Sequence, residues 1–158
     1  LYLPYLTGER TPHMDAGASG MFFGMRLIHD RRHFVRSVME GVVYSLKDSL
    51  QIFEQMGLRT DRIIASGGGA ASPLWLQIQA DILEKEICVS AVKEQACLGA
   101  CILAGAGTGM LESTEEGVKR YVSFRGDTYE PRERLKDMYR EQHRKYQQLY
   151  QAAKGLMR

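Results

Sequence analysis

The sequence predicts an α/β fold, and three features of it carry that prediction. Short apolar runs, "RIIAS" at 62–66 and "EICVSAV" at 86–92, alternate with longer stretches whose apolar residues recur every three or four positions. Three consecutive glycines, Gly67, Gly68 and Gly69, follow the first run directly. A Ser-Pro pair, Ser72 and Pro73, then opens the next helical stretch. At 158 residues the chain has the length of one ordinary domain, which runs roughly 100–200 residues.

Taken in order, residues 1–6 and 21–25 ("MFFGM") read as short strands around a Gly/Pro/Asp-rich loop, "TGERTPHMDAGASG". Asp30 is placed to cap a long helix whose apolar face comprises Val35, Met39, Val42, Leu46, Leu50 and Phe53, with Gly57 at its stop. The run 62–66 is a short buried strand. Ser72 as N-cap and Pro73 as first helical residue begin a helix reaching about Glu84 that buries Leu74, Ile78 and Ile82. Residues 86–92 form another strand, 95–106 a buried helix, 114–121 a short helix, and a loop follows. The last helix opens near Pro131 with Leu135, Met138, Gln142, Tyr146, Leu149 and Ala153 on one side. Its seven Lys and Arg side chains read as a solvated face.

Composition excludes several function classes. Hydrophobic residues make up 44% and charged residues 25%, the balance of a water-soluble domain. A net charge of +2 gives no electrostatic reason to expect nucleic acid or a membrane surface as partner. No apolar run approaches the ~18 residues that span a bilayer. Cys97 and Cys101 lie in an Ala/Gly/Leu setting where cysteine acts as a small buried hydrophobe, and no CxxC is present. Reduced thiols and no signal peptide lead to an expected cytoplasmic location. The apolar opening "LYLPYL", without a methionine, is what a piece of a longer polypeptide would show.

Gly67 to Gly69 match no standard phosphate motif. A P-loop needs a Lys at fixed spacing, and a dinucleotide fingerprint needs a third Gly or Ala where Ser72 or, from Gly105, Met110 stands. What remains is strand, glycines and capped helix, an arrangement that lets a ligand approach backbone N–H groups or else serves a tight turn. His29 and His33 sit one helical turn apart, yet no third metal ligand accompanies them, so they read as surface residues. Trp75 reads as a core residue rather than a base-stacking one. No nucleophile-base constellation or carboxylate pair emerges, Asp15 being the one loop acid near other motif residues.

Five blocks in order, "LPYLTGERTPH" (3–13), "GMFFGM" (20–25), "RSVMEGVVYSL" (36–46), "SGGGAASPLWLQIQADIL" (66–83) and "EQACLGACILAG" (94–105), resemble the C-terminal region of the FGGY carbohydrate kinases. The GERTP block with its His is most similar to xylulokinases. The resemblance implies the C-terminal part of domain II of an actin/hexokinase-like ATPase, a ribonuclease-H-like domain, with residues 1–158 forming a nucleotide-binding fragment of a sugar kinase. It further implies γ-phosphoryl transfer from ATP, with Mg²⁺, to a sugar hydroxyl, D-xylulose first among the candidates. Carried over by position, Gly68 contacts the nucleotide, Gly67 and Gly69 flank that contact, and Ser72 lies against the adenine. The catalytic Asp, the sugar-binding residues and the phosphate loop are expected in a missing N-terminal domain, so residues 1–158 alone should be inactive and contain no catalytic or metal-binding residue. Ala71 departs from the Arg or Lys common in xylulokinases, and Ser19 from a basic residue. Two alternatives stay open: an FGGY kinase for another polyol or sugar acid, and a stand-alone nucleotide-binding module. Homo-oligomerisation is left open too.

Overall fold

A computed structural model of the chain describes residues 1–157. A small antiparallel ribbon, β1 (Tyr2–Leu3) and β2 (Met21–Phe22), brackets the loop 4–20. Helix α1 (Arg31–Gln55) follows, then β3 (Arg62–Ala65), a 3₁₀ turn (Gly68–Ala71), α2 (Pro73–Leu83) and β4 (Glu86–Ser90). The chain continues through α3 (Gln95–Gly107), α4 (Thr114–Tyr121), β5 (Phe124–Tyr129) and α5 (Lys136–Ala153). The main sheet runs β3-β4-β5, with β3 parallel and β5 antiparallel to β4. Helix α2 is the crossover between the parallel pair.

Helix ends follow the local chemistry read from the sequence. Asp30 caps α1, its side chain accepting from the Arg32 and His33 amides while His33 Nδ1 returns to the Asp30 amide. The contact of His33 Nδ1 with Asp30 Oδ1 at 2.8 Å is the largest cause that holds the Asp30 carboxyl below its usual range, and the bonds from the two amides add to it. The helix stops at Met56, immediately before Gly57.

The core forms where α2 is enclosed by α1, the sheet and α5. Leu76, Ile78, Ala80 and Ile82 on α2 are at most 1% exposed, and burying each of the larger side chains contributes roughly 1.5–3 kcal/mol. Tyr5, Tyr44, Tyr139, Tyr146 and Tyr150 join them. Four of the hydroxyls find partners where α5 meets α1 and the loop 4–20: Tyr146 donates to Tyr5 (2.8 Å), Tyr150 to Asp15 (2.9 Å) and Tyr139 to Glu40 (3.1 Å), while the Tyr44 hydroxyl is buried with no hydrogen-bond partner among the described residues. Burial pushes the Tyr5 phenol up to about 12.

Polar anchors set the helix packing. Asp48 and His143 are both buried and meet at 2.8 Å, and Gln147 Nε2 adds a bond to the same carboxylate oxygen at 2.7 Å. Lys47 reaches the Ile82 carbonyl (2.7 Å) and Glu84 (2.9 Å), and Arg140 holds Glu84 from the other side at 3.0 Å. Burial alone would raise the Glu84 carboxyl, but the Arg140 and Lys47 bonds outweigh it and hold the group below its ordinary value.

Several expectations are corrected. Residues 124–129 form strand β5, not a loop, because β4 offers a free antiparallel edge that the sequence "FRGDTY" completes without apolar alternation. Strands β1 and β2 are two residues each, shorter than 1–6 and 21–25. On α1 the buried face carries Val43, Tyr44, Lys47 and Asp48, while Val35, Leu46 and Phe53 are exposed by 55, 49 and 52%. Lys47 and Asp48 turn inward because each finds a hydrogen-bonding partner there, Glu84 and the Ile82 carbonyl for Lys47, His143 and Gln147 for Asp48. Strand β3 is half-buried rather than buried: Ile63 and Ala65 pack against the core on one face while Ile64 on the other is 51% exposed, and Leu74 on α2 faces outward. Of α3 only Ile102 is buried, and Cys97 and Cys101 are exposed rather than internal. On α5, Met138 is outside while Tyr139, His143 and Tyr150 are inside, and Arg132 and Arg140 are ion-paired rather than merely solvated.

Removing His143 strands the Asp48 carboxylate in the core. His143→Ala should therefore cost about 3 kcal/mol or more in urea unfolding, and His143→Gln less because it keeps a donor; a cost below about 1 kcal/mol for the alanine variant would contradict the pairing. Glu84 has a folded pKa below its unfolded value. Its contribution is present in full above about pH 5 and drains away as pH falls through the folded value. The Glu84→Gln variant should accordingly show a flatter loss of stability on acidification below pH ~4.5 than the parent chain.

Candidate functional site

The glycine loop sits where β3 ends and α2 begins, and each glycine answers a different demand. Gly67 has φ 72° and ψ −165°, backbone that side chains rarely tolerate, so the turn itself requires glycine there. Gly69 is needed for packing, since a Cβ on it would lie 2.7 Å from the Trp75 ring. Gly68 has neither constraint. Its φ is ordinary and an added Cβ would meet nothing within 4 Å, so the chain's own folding gives no reason for glycine at this position.

Around Gly68 the surface is uncharged. No ionisable side chain occurs from Ile63 to Ala80. The 3₁₀ turn closes with the Ala70 amide on the Gly67 carbonyl and the Ser72 amide on the Gly69 carbonyl, both at 3.2 Å. The Gly68 and Gly69 amides bond to no backbone group among the described residues. Ser72 caps α2, its hydroxyl accepting from the Trp75 amide at 3.3 Å, and Pro73 takes the first helical position. The loop thus presents free backbone donors at the positive end of an eleven-residue helix. Exposed Ala71, Pro73 and Leu74 lie beside them, and Ser19 is likewise exposed. Trp75 is half-buried and packs against the core, as expected, but its Nε1 is buried with no hydrogen-bond partner.

Helix α2 is fixed from behind by a residue the sequence reading missed. The Asp81 side chain has no exposed surface and is bound by the Arg132 guanidinium and amide at 2.9–3.2 Å, with Gln77 Nε2 adding a bond at 3.1 Å. The signal was available: Asp81 falls on the same helical face as Ile78 and Ile82, where an acid demands a partner.

Other candidates separate from this site. His29 and His33 stand with ring centroids 5.3 Å apart on the surface, His33 serving the α1 cap. Among the described residues no group of three or more His, Cys, Asp or Glu side chains is arranged to hold a metal ion. Asp15 is a structural acid, its carboxylate accepting from the Gly17 amide (3.0 Å) and the Tyr150 hydroxyl (2.9 Å). Among the described residues no helix is long and apolar enough to cross a membrane.

The three glycines should separate in thermal melts. Gly68→Ala is expected to leave stability unchanged or raise it by up to about 1 kcal/mol, whereas Gly67→Ala should lower it by about 1 kcal/mol. Gly69→Ala should lower it as well, and equal losses at all three positions would refute this division.

Against known proteins, residues 1–108 match the FGGY family of carbohydrate kinases, C-terminal domain. The xylulose kinase of Bacillus subtilis is 40% identical over 122 residues, covering 77% of this chain and 24% of that protein. The xylulose kinase of Staphylococcus epidermidis is 38% identical over 156 residues, covering 99% of this chain and 31% of that protein. A gluconokinase of Bacillus licheniformis is 43% identical over 114 residues, covering 72% of this chain and 22% of that protein. Among solved structures, the ligand-bound xylulose kinase from Lactobacillus acidophilus superposes with a TM-score of 0.88 at 27% identity, covering 97% of this chain and 31% of that one. The chain therefore spans about a quarter to a third of the length of these relatives. Its architecture is that of the actin/hexokinase-like sugar kinases, and the chain belongs to the FGGY family of carbohydrate kinases, whose C-terminal domain it carries.

Proposed function

We propose that this chain supplies the nucleotide side of an ATP-dependent sugar kinase, the γ-phosphoryl group passing to a sugar hydroxyl, with D-xylulose the favoured substrate. One observation carries the nucleotide assignment. Gly68 is a glycine that folding does not require, on an uncharged ledge with free amide donors at a helix N-terminus. A side chain at 68 would occupy the space that a nucleotide needs to reach those amides. Gly67 shapes the turn, Gly69 lets Trp75 pack beneath it, and Ser72 both caps α2 and offers a hydroxyl to the base.

The absence of Lys or Arg from the ledge fits the nucleoside part of ATP better than its triphosphate. Mg²⁺, when bound with ATP, would neutralise the phosphate charge as the γ-phosphoryl group leaves. On this reading its holders, the carboxylate that takes the sugar proton and the sugar-binding groups are carried by polypeptide outside residues 1–158. On this reading the partners are ATP, a small-molecule sugar and that further polypeptide. The free thiols agree with a reducing, cytoplasmic setting. The substrate rests on the several xylulose kinases among the relatives, and the 43% identical gluconokinase favours a sugar acid as the second reading.

Trp75, the one tryptophan, packs against Gly69 and serves as a built-in reporter. ATP added to the complete enzyme should saturably change the part of its fluorescence that a Trp75→Phe variant lacks, and Gly68→Val should weaken that binding by about tenfold or more, with the melting temperature and the Michaelis constant for sugar little changed. Unaltered ATP binding in a well-folded Gly68→Val protein would refute the assignment. Phosphorylation assays with D-xylulose and gluconate side by side decide the substrate, and residues 1–158 alone should phosphorylate neither.

A further inference from the structure

A buried carboxylate between α1 and α5 is answered on one side only. Asp48 is 5% exposed, and both of its donors, His143 Nε2 at 2.8 Å and Gln147 Nε2 at 2.7 Å, converge on Oδ1. Oδ2 is buried and meets no hydrogen-bond partner among the described residues. An ionised carboxylate accepts through both oxygens, so a dry, unanswered Oδ2 costs free energy. The same side chain lines an open cleft of about 690 Å³ between the C-terminal halves of α1 and α5 and the loop 4–20. That volume falls within the roughly 300–1,000 Å³ of small-molecule sites.

The lining decides which molecule fits. Gln51, Gln55, Gln147, Gln148 and Gln151 bring amides to the cleft, groups that both donate and accept. Ile52 and Ala152 supply apolar surface beside them, and the His13 ring forms a wall held by stacking on Tyr150 at 3.9 Å. Among the described residues that line the cleft there is no Lys or Arg, although Lys154 reaches the Gln151 side-chain carbonyl at 2.7 Å. An anion would face the Asp48 carboxylate with no cation in the lining. A cation would compete with His143 for that single acid. A neutral molecule rich in hydroxyls meets the lining better, because each hydroxyl donates and accepts as the amides do, while its C–H groups suit Ile52 and Ala152.

We propose that this cleft binds a small neutral polyol, a sugar or a sugar alcohol, with one hydroxyl donating to Asp48 Oδ2. Gln147 Nε2 also contacts Gln51 Oε1, at 3.2 Å, beside the carboxylate. A ligand hydroxyl takes the place of that long bond and supplies the donor that the fold leaves out. The cleft shares no residue with the glycine loop, so the proposal stands independently of the nucleotide reading.

Calorimetric titration of the complete protein with xylitol and with D-xylulose tests the proposal. Ala152 is exposed, so Ala152→Trp fills the cleft without disturbing the core. It should weaken polyol binding by about tenfold or more at an unchanged melting temperature. A sugar kinase holds D-xylulose at its catalytic site as well, so the binding that counts is the part Ala152→Trp removes. Loss of xylitol binding assigns the cleft to sugar alcohols, and loss of D-xylulose binding assigns it to sugars; either supports the proposal. Asp48→Asn should weaken the same binding but also lower stability, because it disturbs the His143 contact. Xylitol or D-xylulose, whichever binds, should slow amide exchange within residues 48–55 and 147–153 of the parent protein and leave the Ala152→Trp variant unchanged there. Binding of both polyols that Ala152→Trp leaves intact overturns the proposal, as does no binding of either. Ethanolamine that displaces the polyol and binds more tightly overturns it in favour of an amine site.

Discussion

The ion pair between Asp81 and Arg132 is the constraint on which the remaining architecture depends. A carboxylate with no exposed surface must be answered, and one donor set satisfies it: the guanidinium and amide of Arg132, assisted by Gln77. That bond fastens the polypeptide between β5 and α5 onto the back of α2. Once α2 is held there, α5 can lie along α1 and close the tyrosine-rich seam through Asp48 and His143. Breaking such a pair by removing one partner costs about 3–5 kcal/mol, a large share of a domain's net stability.

The rigidity of α2 gives the glycine loop its meaning. A loop hung from a helix whose inner face is fully buried cannot relax far, so the position of each backbone group in it is set by the fold. Gly67 and Gly69 are consumed in building that geometry, one by its φ and one by Trp75. Gly68 is left over. The same fold that explains two glycines as structural gives no packing or backbone reason for the third, and the proposed nucleotide contact at Gly68 rests on that difference.

Much of this was legible in the sequence because it is local. Caps announce themselves within four residues, and Asp30, Ser72 and Pro73 do what their positions promise. The alternation of strands and helices was likewise readable, except for β5, whose pairing with β4 owes nothing to apolar periodicity. What could not be read was which side of a helix meets another element. Lys47, Asp48, Asp81 and His143 look like surface residues until their partners, 35 to 95 residues away in the chain, are in place. The apolar residues of α3 mislead in the opposite way, since their pattern predicts a buried helix whereas Ile102 is its one buried residue. In the glycine cluster, the sequence treats Gly67, Gly68 and Gly69 alike, and only the fold separates Gly68, which no backbone or packing constraint holds, from its neighbours.

Amide hydrogen–deuterium exchange with and without ATP tests the central claim most directly. If the Gly68 ledge receives the nucleotide, ATP should slow exchange within residues 66–72, where the free amides lie, while α2 and α5, already held by burial and by Asp81, change little. Protection that appears elsewhere in the chain and leaves residues 66–72 exchanging at their original rate would contradict the account.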